Sequence, residues 1–189
     1  MKGEETAMRR SIGLLEYKSI AKGMEASDEM LKSSNVELVL ASPVCPGKYI
    51  VILSGDVGAV ENAVKVGKNI GGSYLISDYS IANVHENVFP AITGTIDIGK
   101  IDSLGIVETI SAVASVIAGD VALKAANIDL LEIRIAKGLC GKGYMLMTGE
   151  VSAVKSAVEA CESRLIETGE IISTVTIPSP SKELISSLL

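Results

Sequence analysis

The chain has 189 residues, 48% of them hydrophobic, enough for one large domain or two small ones with genuine cores. Seventeen lysines and arginines stand against 23 acidic residues, a net charge of −6 with no basic run. With one Phe and no Trp as well, a phosphate-tracking stripe and a base-stacking platform are both missing, which argues against nucleic acid or an anionic membrane surface as partner.

Residues 1–10 read as an N-terminal extension. Met1-Lys2-Gly3-Glu4-Glu5 lacks the apolar stretch of a secretory signal, and the uncharged run from Thr109 to Gly119 is too short to cross a bilayer, so the expected location is the cytoplasm. Three cysteines without CxxC spacing fit that setting, because they read as free thiols and not as a disulfide framework. Ile12 to Tyr17 and Val36 to Ala41 are short, rich in Ile, Val and Leu and bounded by breakers, hence buried strands. Ile20 to Ser34 between them is long enough for a helix that stops at Asn35. Val44-Cys45-Pro46-Gly47-Lys48-Tyr49 then places a thiol at a tight turn. Asp56 is the candidate N-cap of a helix carrying Val57, Val60, Val64 and Gly67 on one face, and Tyr74 to Ile81 closes the set as a strand.

The same order returns. Ser11-Ile12-Gly13-Leu14-Leu15-Glu16 is matched by Ser103-Leu104-Gly105-Ile106-Val107-Glu108, 92 positions on. After the turn Gly55-Asp56-Val57 is matched by Gly149-Glu150-Val151, 94 positions on, so the second copy has two extra residues at its turn. Strand, helix, strand, turn, strand, helix, strand is a split βαβ unit. The expected fold is thus α/β (α+β), two tandem ferredoxin-like units over residues 11–93 and 103–189, with 94–102 as a glycine-containing linker. Ile110 to Ala126 is apolar on nearly every side, which predicts burial on more than one face and a subunit interface there.

The turn Leu139-Cys140-Gly141-Lys142-Gly143-Tyr144 reads as a near-copy of the Cys45 turn. If such turns converge on a symmetry axis, one cysteine per chain becomes several and a metal can be held. Lys48 and Lys142 are ordinarily solvated charges. Gathered at an axis they would favour thiolate at Cys45 and attract anions. On residue chemistry alone Cys45 reads first as a small apolar residue beside a turn. Cys140 is evenly balanced between ligand and tolerated substitution, and Cys161, on a helical stripe with Val151, Val154 and Val158, belongs in the core. His85 has no Cys or His at ligand spacing and reads as a solvated loop residue. Glu16 and Glu108 end equivalent strands, which suits a scaffold role better than acid/base chemistry. No nucleophile, base and orienter set can be assembled, so no enzymatic activity is expected.

The strings SIGLLEY, SIAKGMEASDEMLKSSNVEL, CPGKYIVILSGDVGAVENA, GIVET, DVALKAANIDL and GKGYMLMTGEVSAV resemble tandem-domain bacterial microcompartment shell proteins, nearest to the T-type branch of propanediol-utilisation microcompartments. The likeness runs from about Ser11 to Leu189. It implies a homotrimer of tandem domains that imitates a hexagon and tiles a microcompartment shell with other shell proteins around encapsulated redox enzymes. It also reverses the order of readings for Cys45, which falls on the family cysteine that binds an iron-sulfur cluster on the three-fold axis. One 4Fe-4S cluster per trimer is therefore implied, for electron transfer or redox sensing, with Cys140 as a further candidate ligand. Pro46, Gly47, Lys48, Gly141 and Lys142 would form the loops around the axis, and Lys32 and Lys124 the shell-edge contacts.

The sequence departs from that pattern in two places. Pro178-Ser179-Pro180-Ser181 and Ala82-Asn83-Val84-His85 stand where related domains carry Pro-Arg-Pro-His, so the arginine of the usual edge contact is missing. Cys140 stands where close relatives have Gly. Two other readings remain open at this point, a tile whose opening passes solutes without metal and a trimeric ferredoxin-like small-molecule sensor.

Overall fold

The computed structural model describes residues 11–97, 99–135 and 138–188, and divides into two units with the boundary between Val84 and His85. In unit 1, β1 (Ser11–Tyr17), α1 (Ile20–Ser33), β2 (Val36–Val44), β3 (Lys48–Gly55), α2 (Val57–Gly71) and β4 (Leu75–Ile81) build a sheet of order β2-β3-β1-β4. Every neighbouring pair is antiparallel, with β3 inserted between the strands that α1 connects, as a split βαβ unit requires. Ser19 opens α1 by accepting from the Lys22 N–H at 3.3 Å, and the helix ends where Ser34 turns extended. Asp56 does precede α2 with extended backbone, but its side chain makes no capping bond. Tyr74 falls in a single 3₁₀ turn, so the closing strand begins at Leu75.

Unit 2 repeats the plan with β5 (Ser103–Thr109), α4 (Ala112–Ala125), β6 (Asp129–Ile135), β7 (Gly143–Thr148), α5 (Val151–Leu165) and β8 (Ile171–Pro178), in the order β6-β7-β5-β8. It adds two short helices, α3 (Val88–Thr93) and α6 (Lys182–Leu188). The boundary expected at Thr93 therefore lies earlier, because α3 packs on β6 and α4 and belongs with the second unit. Its end is set by Gly94, whose left-handed backbone (φ 69°) lets its N–H reach the Pro90 carbonyl.

The subunit interface expected on the all-apolar helix is not needed to hide it. Ten of the fourteen residues of α4 are buried within the single chain, against the sheet, α5 and α3. Covering α4 on a third side is what α3 contributes, and no sequence period announced it.

Strand register gives the residue correspondence between the units. Tyr17 corresponds to Thr109, Tyr49 to Gly143 and Leu75 to Ile171, offsets of 92, 94 and 96, so the second copy also carries two more residues between α5 and β8. The two cores fill similar space with opposite choices. Buried Tyr17 donates its hydroxyl to the Gly67 carbonyl at 3.1 Å, and a Cβ at Gly67 or Gly71 would lie 2.9 Å from that hydroxyl or 2.4 Å from the Tyr17 ring. Where unit 2 has the smaller Thr109 and Ala122 in place of Tyr17 and Met30, the two glycines are replaced by Cys161 and Leu165, both buried. Likewise Gly23 makes room for the Tyr49 ring, and its counterpart Ser115 faces Gly143. Close packing explains these exchanges, since one misplaced methylene in such a core costs stability.

Candidate functional site

The turn between β2 and β3 is closed by the Gly47 N–H on the Val44 carbonyl at 3.0 Å, with Gly47 at φ 85°, a conformation for which glycine is suited. The Cys45-Pro46 peptide is cis. Cys45 is half-buried, and Pro46 and Gly47 are exposed at the strand ends. The second turn is closed by the Lys142 N–H on the Leu139 carbonyl at 3.1 Å, with Cys140 exposed at φ 52° between Leu139 and Gly141 (φ 93°).

The two turns differ in length, since Pro43 faces Tyr49 in unit 1 and Ile135 faces Gly143 in unit 2, with five residues between the first pair and seven between the second. Counted back from β3 and β7 at the offset of 94, Cys140 corresponds to Pro46, whereas counted from the carbonyls that close the turns, Val44 and Leu139, it corresponds to Cys45. Cys140 occupies a left-handed backbone conformation that favours glycine.

Both turn lysines make ion pairs within the chain. Lys48 Nζ lies 3.1 Å from Glu16 Oε1, and Lys142 Nζ lies 3.0 Å from Glu108 Oε1. The repeated strand-end carboxylates therefore tie the start of β3 to β1 and of β7 to β5, the scaffold role expected of them. The pairs differ in setting, because the Glu16 side chain is 2% exposed and that of Glu108 36%. A buried carboxylate stripped of its partner is costly, whereas a surface pair is worth little. Lys48→Met is expected to cost about 2–3 kcal/mol and Lys142→Met under about 1 kcal/mol. Urea unfolding of the two variants measures the difference, and equal losses would contradict it.

Lys32 and Lys124 occupy the last turns of α1 and α4 and pair with the matching aspartates, Lys32 with Asp28 and Lys124 with Asp120 at 2.6 Å. Asp120 is buried, and its other oxygen accepts the His85 backbone N–H at 2.8 Å. His85 is a half-buried loop residue at the approach to α3, and its ring Nδ1 accepts from the Asn87 N–H at 3.3 Å.

Cys161 is fully buried on α5, and its thiol donates to the Ala118 carbonyl at 3.3 Å. Burial, helped by the neighbouring Glu162 charge, pushes its pKa up to about 12. The folded, cluster-free protein is therefore expected to alkylate at Cys45 and Cys140 and not at Cys161, read as two labels per chain by intact-mass measurement; three labels without denaturant would contradict the core assignment. Because the folded pKa lies above the free-thiol value of about 8.5, Cys161 contributes stability that is full below that value and lost as pH rises toward 12.

Among the described residues no group of three or more His, Cys, Asp or Glu side chains converges to hold a metal ion. One chain offers a half-buried Cys45 and an exposed Cys140. Thiolate is the right donor for an iron-sulfur cluster, and no described group within one chain supplies a ligand set for one.

Comparison with known proteins places this geometry. The BMC domain model matches residues 11–84 and again 103–180, one match per unit. The bacterial microcompartment shell protein PduT of Citrobacter freundii is 42% identical over 177 residues, 94% of this chain and 96% of that one. The carboxysome shell protein CcmK2 of Thermosynechococcus vestitus is 33% identical over 82 residues, 41% of this chain and 80% of that one, so a single unit accounts for most of it. The crystal structure of a microcompartment protein from Desulfitobacterium hafniense superposes with a TM-score of 0.91 at 43% identity, covering 94% of this chain and 99% of that one. No helix among the described residues is long and apolar enough to cross a membrane. Two matched BMC domains spanning most of the sequence, with full-length relatives of the same tandem build, make this chain a member of the BMC-domain family of bacterial microcompartment shell proteins.

Proposed function

We propose that this shell protein works as a pseudo-hexagonal homotrimer whose Cys45 turns meet on the three-fold axis and hold one 4Fe-4S cluster for electron transfer or redox sensing. The observation that carries the reading is Cys45 itself. It is a half-buried cysteine on a tight glycine turn, at the position where the family resemblance implies that one turn from each copy gathers. Three thiolates leave one iron corner free for a small ligand or a redox partner inside the compartment. Pro46 and Gly47 add little bulk there, and Lys48 is held back on Glu16. The engagement of both turn lysines favours a second reading as well. Without free ammonium groups to balance an anionic cluster, the same opening would serve as a plain solute pore.

The exposed Lys32 and the partly exposed Lys124 are positioned on equivalent helix ends to join neighbouring tiles, other shell proteins of the same compartment among them. Light scattering of the dilute protein is expected to give three times 19.7 kDa, about 59 kDa. Lys32→Glu with Lys124→Ala should leave that mass unchanged and lower incorporation into shells. A 19.7 kDa particle would end the trimer reading, and unchanged incorporation the edge role.

A further inference from the structure

The repeat continues past the two sheets. After β4 and β8 the chain leaves in the same way, for Asn83 and Ser179 both take left-handed backbone, φ 56° and 50°, and are 96 positions apart like Leu75 and Ile171. At that offset His85 corresponds to Ser181 and Val88, the first residue of α3, to Leu184 within α6. By position in the repeat, α6 is the counterpart of α3.

The two helices nevertheless differ in what they cover. α3 lies on α4 and β6, and beneath it Val116 and Leu130 are 0% and 2% exposed and the Asp120 side chain 8%. The matching residues of unit 1 are Met24, Leu38 and Asp28, exposed at 51%, 47% and 60%. One surface thus appears twice in the chain, sealed in unit 2 and bare in unit 1. α6, for its part, has no buried residue, although Leu188 touches the apolar cluster of Leu104, Leu131 and Leu146. An exposed Met and Leu beside a carboxylate whose counterpart takes a backbone N–H is a surface shaped for a short apolar helix entered through an extended segment.

We infer that residues 181–188 of one copy dock on the α1 and β2 face of a second copy. The apolar edge of α6 covers Met24 and Leu38, and the Ser181 backbone N–H donates to Asp28 as that of His85 does to Asp120. The contact is head to tail, because each copy gives its tail to one neighbour and offers its unit 1 face to another, and such contacts close into a ring when the rotation allows. The inference rests on the trimer reading and names the segment that would join the copies.

The test is disulfide trapping in a Cys45→Ser, Cys140→Ser background. Asp28→Cys with Ser181→Cys should give dimers and trimers on non-reducing gels after mild oxidation, and neither single change should do so. His85→Cys with Asp120→Cys should instead close within one chain, which checks that the geometry of the model pair is competent. Removal of residues 179–189 should shift the trimer toward monomer on dilution while both units keep their folded circular dichroism. A particle that light scattering shows to be trimeric, yet which gives no intermolecular crosslink and survives tail removal, would overturn this contact and leave the trimer standing. A fast-migrating internal crosslink between the two introduced cysteines would also overturn it. A wild-type monomer would end both readings together.

Discussion

Replacing Cys45 with serine is expected to remove the brown chromophore and take bound iron from about four atoms per trimer to near zero, with the trimer mass unchanged. The alcohol of serine keeps the size and the turn hydrogen bond between Gly47 and Val44, which uses backbone atoms alone, so the loop should persist. What is lost is the thiolate. Cys161→Ser is the control, since that thiol is buried against Ala118 in the core of unit 2 and should not affect iron. Cys140→Ser separates the ligand and bystander readings of the second turn. Retention of the cluster would make Cys140 a bystander, and its loss would make Cys140 a ligand. Iron analysis and the visible spectrum of anaerobically prepared protein read all three. Full iron content in Cys45→Ser would remove the axial site.

The second large effect is expected in the cores. Gly71→Leu drives a side chain into the Tyr17 ring, and Gly67→Cys does the same to the Tyr17 hydroxyl and the Met30 sulfur, so each should cost about 1–3 kcal/mol by overpacking. Tyr17→Thr alone should cost about 3–5 kcal/mol, because it empties the space that the two glycines frame. Combining these with Met30→Ala transplants the set that unit 2 uses, Thr109, Ala122, Cys161 and Leu165. The fourfold variant should then be more stable than the sum of its single changes by about 2 kcal/mol or more, the sign expected of contacting residues. Simple additivity in urea unfolding would show that the two cores do not use equivalent space.

Much of this architecture is legible in the chain itself. Runs such as Ile12 to Tyr17 are recognisable because their strand is buried along its whole length, and the repeat is visible because glycines and apolar positions return at fixed offsets. What escapes the sequence is long-range or short. Lys48 and its partner Glu16 are 32 residues apart, and only the antiparallel pairing of β1 with β3 brings them together. α3 and α6, of six and seven residues, are too brief for a helical period to emerge, so the sequence does not reveal that α3 covers part of α4. The extra length of the Cys140 turn shows in the sequence only as the change of offset from 92 to 94, and the ladders place the added residues between Ile135 and Gly143. Sequence reasoning also overlooked Asp120, a buried carboxylate inside an apolar helix, whose signal was its conspicuous polarity between Gly119 and Val121.

Native mass spectrometry of protein made and kept without oxygen, with iron and cluster-assembly machinery supplied, tests the central claim most directly. The account predicts one species, three chains of 19.7 kDa carrying the mass of a single 4Fe-4S cluster. Single chains, or trimers at the bare protein mass under those conditions, would contradict it.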